Sequence, residues 1–476
     1  ALRVLTEAAY RPAIVYTDTL KYLYGVYPGA DPLGYRLVLK VILVAGDLGV
    51  VAAIQHLLGL AMAVVLYVVL LRRGVNRWLA ALAVAPVLLD AYQLQMEQMI
   101  MPDVWFEALI VAGLAVLLWK PAASLPFAAV AGLILGTSAT VRQVGELLVA
   151  PAVLYLLASR GGWRQVLTRS AALIGACALP ILAYSSISYA RTGHFWLARG
   201  QSSVGRMAAS ADCATLKLPA AVRPMCPTPS QQAKGPDWLE HSGKSPLYTT
   251  LVPPGWTRQR MLAALSSAVK SQQPLRVAVS ALRDSARLFA PVRGPAESVT
   301  PISRWQFQTT YPTEPPWISI GPGQHIIVGI QHRGFGAFHL SVLKPSYGGP
   351  AQVSRPVASF LRAYQLDGGY TPGPLLAVFA LAGLAGSVIA LLGRGRGARR
   401  RQLALGSLLF TGATVAILVL PDLLEFSWRY QLPAVILLPP AGVLGAGALL
   451  ARRRASPAGT PPGAEAGTEG AAAAEQ

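Results

Sequence analysis

Four ionisable side chains stand where an otherwise apolar chain changes character: Asp18 in VYTDTLKYLY, Asp103 in MIMPDVWFEALI, Arg142 in ATVRQVGELL and Arg429 in EFSWRYQLP. Charged groups so close to hydrocarbon are costly unless they face the interior of a helix bundle or a wet cavity. Their types suit a definite chemistry. A guanidinium presents a planar fork that grips phosphate oxygens in pairs, and a carboxylate within reach of a hydroxyl takes its proton as that hydroxyl attacks. Two arginines would hold and neutralise a phosphate while a carboxylate serves as base. Structural roles are open too. Asp18 could cap a helix beginning at Thr19, Asp103 could be a first-turn acid favoured by the helix dipole, and Arg142 or Arg429 could pair with Glu146 or Glu425.

Secondary candidates for substrate contact surround these four: Lys21 and Tyr22 beside Asp18, Glu97, Glu107 one turn beyond Asp103, and Tyr430 after Arg429. His56 and His194 read as packing and boundary residues. P-loop, G-x-S-x-G, H-E-x-x-H and paired CxxC signatures are absent. No metal is required by these residues, although a divalent ion stays possible. Cys213 and Cys226, in DCATLKLPAAVRPMC, form an even pair in a hydrophilic stretch and suggest a disulfide in an oxidising compartment.

The elements that must position these groups are apolar. Of 476 residues, 53% are hydrophobic and 13% charged, against about 25% charged in soluble proteins. Nine runs approach the roughly 17–25 residues needed to cross a bilayer core: 48–71, 78–94, 103–119, 121–141, 143–159, 170–190, 374–393, 402–421 and 430–451. The class implied is an all-α polytopic membrane protein. Residues 1–47 form a first outer loop with an interfacial helix, 48–190 six spans, 191–373 a hydrophilic region, 374–451 three spans, and 452–476 a low-complexity disordered tail. Within 191–373, helical spacing is plain only near 256–290.

The formal charge of +20 does not indicate nucleic acid, because its placement follows the apolar runs. LRRGVNR, SRGGWRQVLTR, GRGRGARRR and ARRR carry arginine and no acid, whereas the alternate connections carry Asp90, Glu97, Asp103, Asp422 and Glu425. Under the positive-inside rule the basic set is cytoplasmic. Asp18, Asp103, Arg142, Arg429 and residues 191–373 then share the opposite face, and the C-terminus is inside.

Taken in order, YTDTLKYLY, QHLLGLAMAVVLYVVLLRRG, MPDVWFEALIVAGLAVLLW, GLILGTSATVRQVGELLVAPAVLYLL and WRYQLPAVILL resemble the GT-C superfamily of membrane glycosyltransferases. The similarity is to polyprenyl-phosphate-sugar-dependent, dolichyl-phosphate-mannose-type members, with GHFWLARGQSSVGRMAASADC similar to actinobacterial ones. The resemblance implies a GT-C-like bundle, a catalytic Asp at Asp18, a second acidic position at Asp103 and an Arg-Tyr pair at Arg429–Tyr430. It also implies a further span before the acidic loop, mostly missing from this chain. Where many relatives carry Asp-Glu, this chain has Asp18–Thr19, so donor sugar and metal requirement stay open.

The expected function is transfer of a sugar from a polyprenyl-phosphate donor to a cell-envelope glycan, lipid or protein on the extracytoplasmic face of a bacterial plasma membrane. Asp18 is the base, Asp103 assists, and Arg142 with Arg429 holds phosphate. The alternative is a non-catalytic polytopic protein, a lipid-phosphate transporter or scaffold, with the same bundle.

Overall fold

The structure is a computed structural model. It describes residues 1–15, 18–24, 32–159, 161–198, 203–294, 302–311, 318–320, 326–328, 338–340, 347–349, 351–392, 397–424 and 426–451. Glu425, part of the PGADPLGY turn, the arginines at 394, 396 and 452–454, and the tail 452–476 lie outside the described residues.

The chain opens with α1 (Leu2–Ala9), strand β1 (Tyr10–Arg11), α2 (Thr19–Tyr24) and α3 (Gly34–Ile42). On α3, Tyr35 and Leu39 are buried while Leu37 and Val41 stay exposed, the pattern of a helix with one face on protein and the other free. Then come α4 (Leu48–Arg72), α5 (Arg77–Leu89), α6 (Ala91–Gln98), α7 (Asp103–Leu118), α8 (Leu125–Val141), α9 (Val149–Ala158) and α10 (Trp163–Thr192). The hydrophilic region holds α11 (Val204–Ser210), α12 (Pro229–Gln232), α13 (Gly235–His241), α14 (Pro246–Thr249), α15 (Arg258–Gln272) and α16 (Pro274–Ala286). An antiparallel sheet of β2 (Ile318–Ile320), β3 (Ile326–Val328) and β4 (Phe338–Leu340) follows. Last come β5 (Gln352–Val353), α17 (Arg355–Leu366), α18 (Gly373–Leu392), α19 (Ala398–Asp422) and α20 (Leu432–Leu450).

All nine apolar runs coincide with helices, but nine full spans are not reached. Among the described residues five helical segments are long and apolar enough to cross a membrane: α4, α10, α18, α19 and Trp428–Leu450. The α5–α6 pair, bent by 48°, makes a sixth if it is one span. The shortfall lies at 103–158, where α7 and α8 have 16 and 17 residues and an extended residue, Arg142, stops α8 before a 3-10 turn, Gln143–Leu148, leads into α9. The polar residue that signals chemistry is also the one that shortens the helix.

The α5–α6 bend has a clear cause. Asp90 ends α5 with extended backbone and caps α6, its Oδ1 accepting from Tyr92 N at 3.0 Å and its Oδ2 from Thr371 N at 2.8 Å. Two carbonyls freed at the end of α5, Val87 and Leu88, are taken by the Arg3 guanidinium at 2.9 and 3.1 Å. Buried backbone acceptors need such partners in a place without water.

Close helix contact depends on small residues. A Cβ on Gly132 or Gly136 of α8 would strike the backbone carbonyls of Leu173 and Cys177 on α10, and one on Gly445 of α20 would strike that of Ala382 on α18. Backbones that approach this far gain dispersion contact, the main attraction between helices in lipid. α19 and α20 are mostly buried and form the interior, whereas α10 is largely exposed and peripheral.

The region after α10 is more ordered than its sequence spacing implies. The helix expected at 256–290 is two helices, separated at Gln273–Pro274, and α11, α13 and α15 enclose a separate small core of Met207, Leu239, Met261 and Leu265. A disulfide joins Cys213 and Cys226. This region is tied to the N-terminal segment by β1–β5 pairing (Tyr10 opposite Val353) and by Tyr311, whose hydroxyl donates to Ala13 O at 2.8 Å and accepts from Val15 N at 3.1 Å.

The α8–α10 contact yields a first prediction. Gly136→Val should destabilise the protein by about 1–3 kcal/mol, the range for overpacking a tight contact, and lower its thermal midpoint in detergent. Gly175→Val, on α10 where an added Cβ meets nothing within 4 Å, should change it little; equal midpoints for the two variants would contradict the packing described.

Candidate active site

Asp18, Asp103, Arg142 and Arg429, spread over more than four hundred residues of chain, meet in one cluster. Arg429 is the centre. It lies in a 3-10 turn, Trp428–Gln431, at the entrance to α20. Its Nη1 donates to Asp18 Oδ2 at 2.9 Å, and its Nε is 3.8 Å from Asp103 Oδ1. The same Asp103 oxygen accepts from Arg142 Nη1. Lys21, one turn into α2, reaches back to Asp18 Oδ1 at 3.0 Å. Two carboxylates therefore face three cations.

Aromatic rings shape the space around the guanidiniums. Arg429 and Arg142 each lie 4.9 Å from the Tyr430 ring centre, and Trp305 is 5.5 Å from Arg429 on another side. Arg429 Nη2 also donates to the Tyr430 hydroxyl at 3.2 Å. Such stacking holds a weakly hydrated guanidinium flat while leaving its edges free to hydrogen bond. Tyr22 is buried and packs edge-on against Tyr35, with ring centres 5.2 Å apart, so it forms part of the wall.

Backbone bonds fix the spacing of the two carboxylates. Ile14 N donates to Gln98 O and Ile100 N donates to Ile14 O, both at 3.0 Å, so the chain before Asp18 runs beside the chain before Asp103. Thr19, directly after Asp18, is fully buried and donates its hydroxyl to Ile100 O at 3.0 Å. Gln55 on α4 completes the support, donating to Glu97 O at 2.8 Å and Met99 O at 2.7 Å while accepting from the Tyr35 hydroxyl at 2.9 Å. Arg429 is placed from the other side, where Trp428 Nε1 donates to Gly294 O and Gln431 Nε2 to Asp284 O, both at 3.2 Å.

The other sequence candidates belong elsewhere. Glu97 is fully buried, paired with Arg3 at 2.8 Å and with His56 Nδ1 at 2.8 Å, in a second polar cluster that also contains Gln98. His56 is thus a partner of Glu97 and not an apolar packing residue. Glu107 is buried and accepts from Gln93 Nε2 at 2.9 Å, and Gln93 lies 3.4 Å from Glu97, so Glu107 is bonded toward that second cluster while also lying close enough to Asp103 and Arg142 to interact with their charges. Arg142 pairs with Asp103 and not with Glu146. Trp305 was not foreseen. It comes from SRWQF in the hydrophilic region, where no periodicity marks it, and its only sequence signal is an aromatic next to an arginine in a Pro- and Gly-rich stretch.

Among the described residues no group of three or more His, Cys, Asp or Glu side chains could hold a metal ion. Asp18 and Asp103 are each engaged by guanidinium.

No family model matches the chain, and no curated protein matches it. Among solved structures, ArnT from Cupriavidus metallidurans bound to undecaprenyl phosphate is similar at 12% identity with a TM-score of 0.33, over 94% of this chain and 75% of that one. A likeness of that size says nothing about individual side chains.

Burial works to raise the Asp18 carboxyl, but the charges of Lys21 and Arg429 and the hydrogen bonds they donate outweigh it and hold the group well below the usual carboxylate range. A carboxyl lowered by folding adds stability above its unfolded value and loses it as pH falls through the folded one. The gap in thermal midpoint between wild type and Asp18→Asn should therefore stay constant from about pH 8 to 5 and narrow only below about pH 4. A pH series of melting curves checks this, and a gap that changed between those two limits would show Asp18 titrating there.

Proposed function

We propose that the protein is a GT-C-type membrane glycosyltransferase. It would take a sugar from a polyprenyl-phosphate donor and transfer it to an acceptor on the extracytoplasmic face. The observation that carries this is the charge balance at the cluster: Asp18 and Asp103 against Lys21, Arg142 and Arg429. One surplus positive charge, set at the end of an apolar bundle, matches the single negative charge of a lipid-linked phosphodiester whose tail lies among the helices.

Arg429 links the two substrates. In the free protein it is shared between Asp18 and Asp103. An incoming phosphate competes for its donors, and Asp18, released from part of its ion pair, becomes a stronger base. The acceptor oxygen then attacks the anomeric carbon and the carbon–oxygen bond to phosphate breaks. The bonding electrons leave with the phosphate, and the acceptor's proton passes to Asp18. The departing monoester carries more negative charge than the diester did. Arg142, Arg429 and Lys21 stabilise that added charge, which is present only as the bond breaks and so accelerates the step instead of merely tightening binding. Asp103 holds Arg142 and Arg429 in register.

The placement of arginine-rich connections at the opposite ends of the apolar runs supports an extracytoplasmic site and a cytoplasmic C-terminus under the positive-inside rule. The ionisable cluster is gathered at one end of the bundle, whereas a transporter would place its substrate groups near the midplane between repeats.

Purified protein incubated with a panel of polyprenyl-phosphate sugars and envelope acceptors tests the proposal. Asp18→Asn should lower turnover by about 10²- to 10⁴-fold, the usual contribution of a general base, while still binding the donor lipid. Arg429→Gln should weaken donor binding as well as turnover. Undiminished turnover in Asp18→Asn would remove the base from this scheme, and retention of donor-lipid affinity in Arg429→Gln would remove the phosphate site.

A further inference from the structure

Helix α16 presents three distinct faces. At about 100° per residue, Val277, Ala281, Asp284 and Leu288 align on the side buried against the protein. Leu275, Val279 and Leu282 align on the opposite side and are 75%, 47% and 54% exposed. Arg276, Arg283 and, just past the helix, Arg287 fall about a quarter-turn from that apolar line. An exposed apolar stripe edged by arginine is unusual in water and ordinary where a helix lies in a lipid headgroup layer.

The helix is fixed at the level where the apolar bundle ends. Ser285 Oγ donates to Asp422 Oδ2, at the end of α19, at 2.7 Å, and Asp284 O accepts from Gln431 Nε2, beside α20, at 3.2 Å. Phe289 and Ala290 press against Gly373, the first residue of α18. Val292 just beyond the stripe is exposed, as are Val378 and Leu381 on α18, itself long and apolar enough to cross the membrane. On α16 itself the exposed charge is basic: Arg276 and Arg283 are exposed and Asp284 is buried. Arg276 donates to Ser210 O at 3.3 Å and lies 3.5 Å from the half-covered Asp212, which leaves part of its guanidinium open to solvent.

We propose that α16 lies on the membrane surface, its Leu275–Val279–Leu282 line among the upper acyl chains and Arg276 and Arg283 on the phosphates of anionic lipids. Two features favour a lipid surface over a protein partner: the segment directly after α16 packs against the start of α18, a helix apolar enough to cross the membrane, and the basic residues complement the negative potential of anionic lipid. The proposal does not depend on glycosyl transfer. It assigns α16 the task of seating the hydrophilic region on the bilayer beside the turn that carries Arg429.

A fluorescent label at Val279 tests this in the full chain. Cys177 is buried and the other two cysteines are joined, so Val279→Cys adds the one reactive thiol, at an exposed position that disturbs no packing. The protein is reconstituted in vesicles of phosphatidylcholine with or without phosphatidylglycerol, and the label is an environment-sensitive dye. Blue-shifted emission is expected, with quenching by nitroxide-bearing lipids, protection from aqueous iodide, and stronger lipid quenching with phosphatidylglycerol. Adding R276Q and R283Q should abolish the phosphatidylglycerol dependence. Emission typical of water with free access to iodide, or lipid quenching indifferent to phosphatidylglycerol, would overturn the proposal.

Discussion

A guanidinium taken from water has to be given its charge partners by the protein, and at Arg429 this requirement organises the structure. Arg429 is only 8% exposed, and its partners come from segments near residues 18 and 103. An uncompensated buried charge costs about 3–5 kcal/mol, a sizeable fraction of the net stability of a typical domain. The first loop, the start of α7 and the entrance to α20 must therefore arrive together. Arg142 adds a second guanidinium on the same Asp103 oxygen, which ties α8 into the junction.

The rest of the architecture keeps that junction from spreading. The backbone bonds between Ile14 and the Gln98–Ile100 segment fix the distance between the loops carrying the two carboxylates. The Thr19 hydroxyl seals the same seam. A glutamate at this position could accept but not donate when ionised, so it could not make this bond to a carbonyl. Thr19 thus acts on geometry. Behind the seam, the second polar cluster of Arg3, His56 and Glu97 satisfies carboxylates and carbonyls that the α5–α6 bend would leave bare.

Much of this was legible in the sequence, for a physical reason. Ionisable residues at the margins of apolar runs are rare and expensive, so Asp18, Asp103, Arg142 and Arg429 stood out one by one, and the apolar runs themselves coincide with helices. Spatial partnership was not legible. Glu97 and Glu107 look as suitable as Asp103 when judged by residue type and position, yet a histidine on α4 and a glutamine on α6 draw them into another cluster. Apolar composition also does not show that Arg142 adopts extended backbone and interrupts its helix, so nine full spans are not seen among the described residues. Trp305 was hidden for the opposite reason: it belongs to an irregular stretch whose path over the bundle only tertiary contacts reveal.

The ion pair between Asp18 and Arg429 spans 411 positions of the chain. A ribosome makes the carboxylate 411 residues before its guanidinium, and chains acquire structure from the N-terminus as they emerge. Until that point Asp18 and Asp103 lack this counter-charge. The cluster can close only after the turn before α20 has been made and that helix is in place. Assembly of the charged centre is thereby coupled to the arrival of α20, and a chain halted before Arg429 would contain the described helices α1–α19 without the junction that unites them.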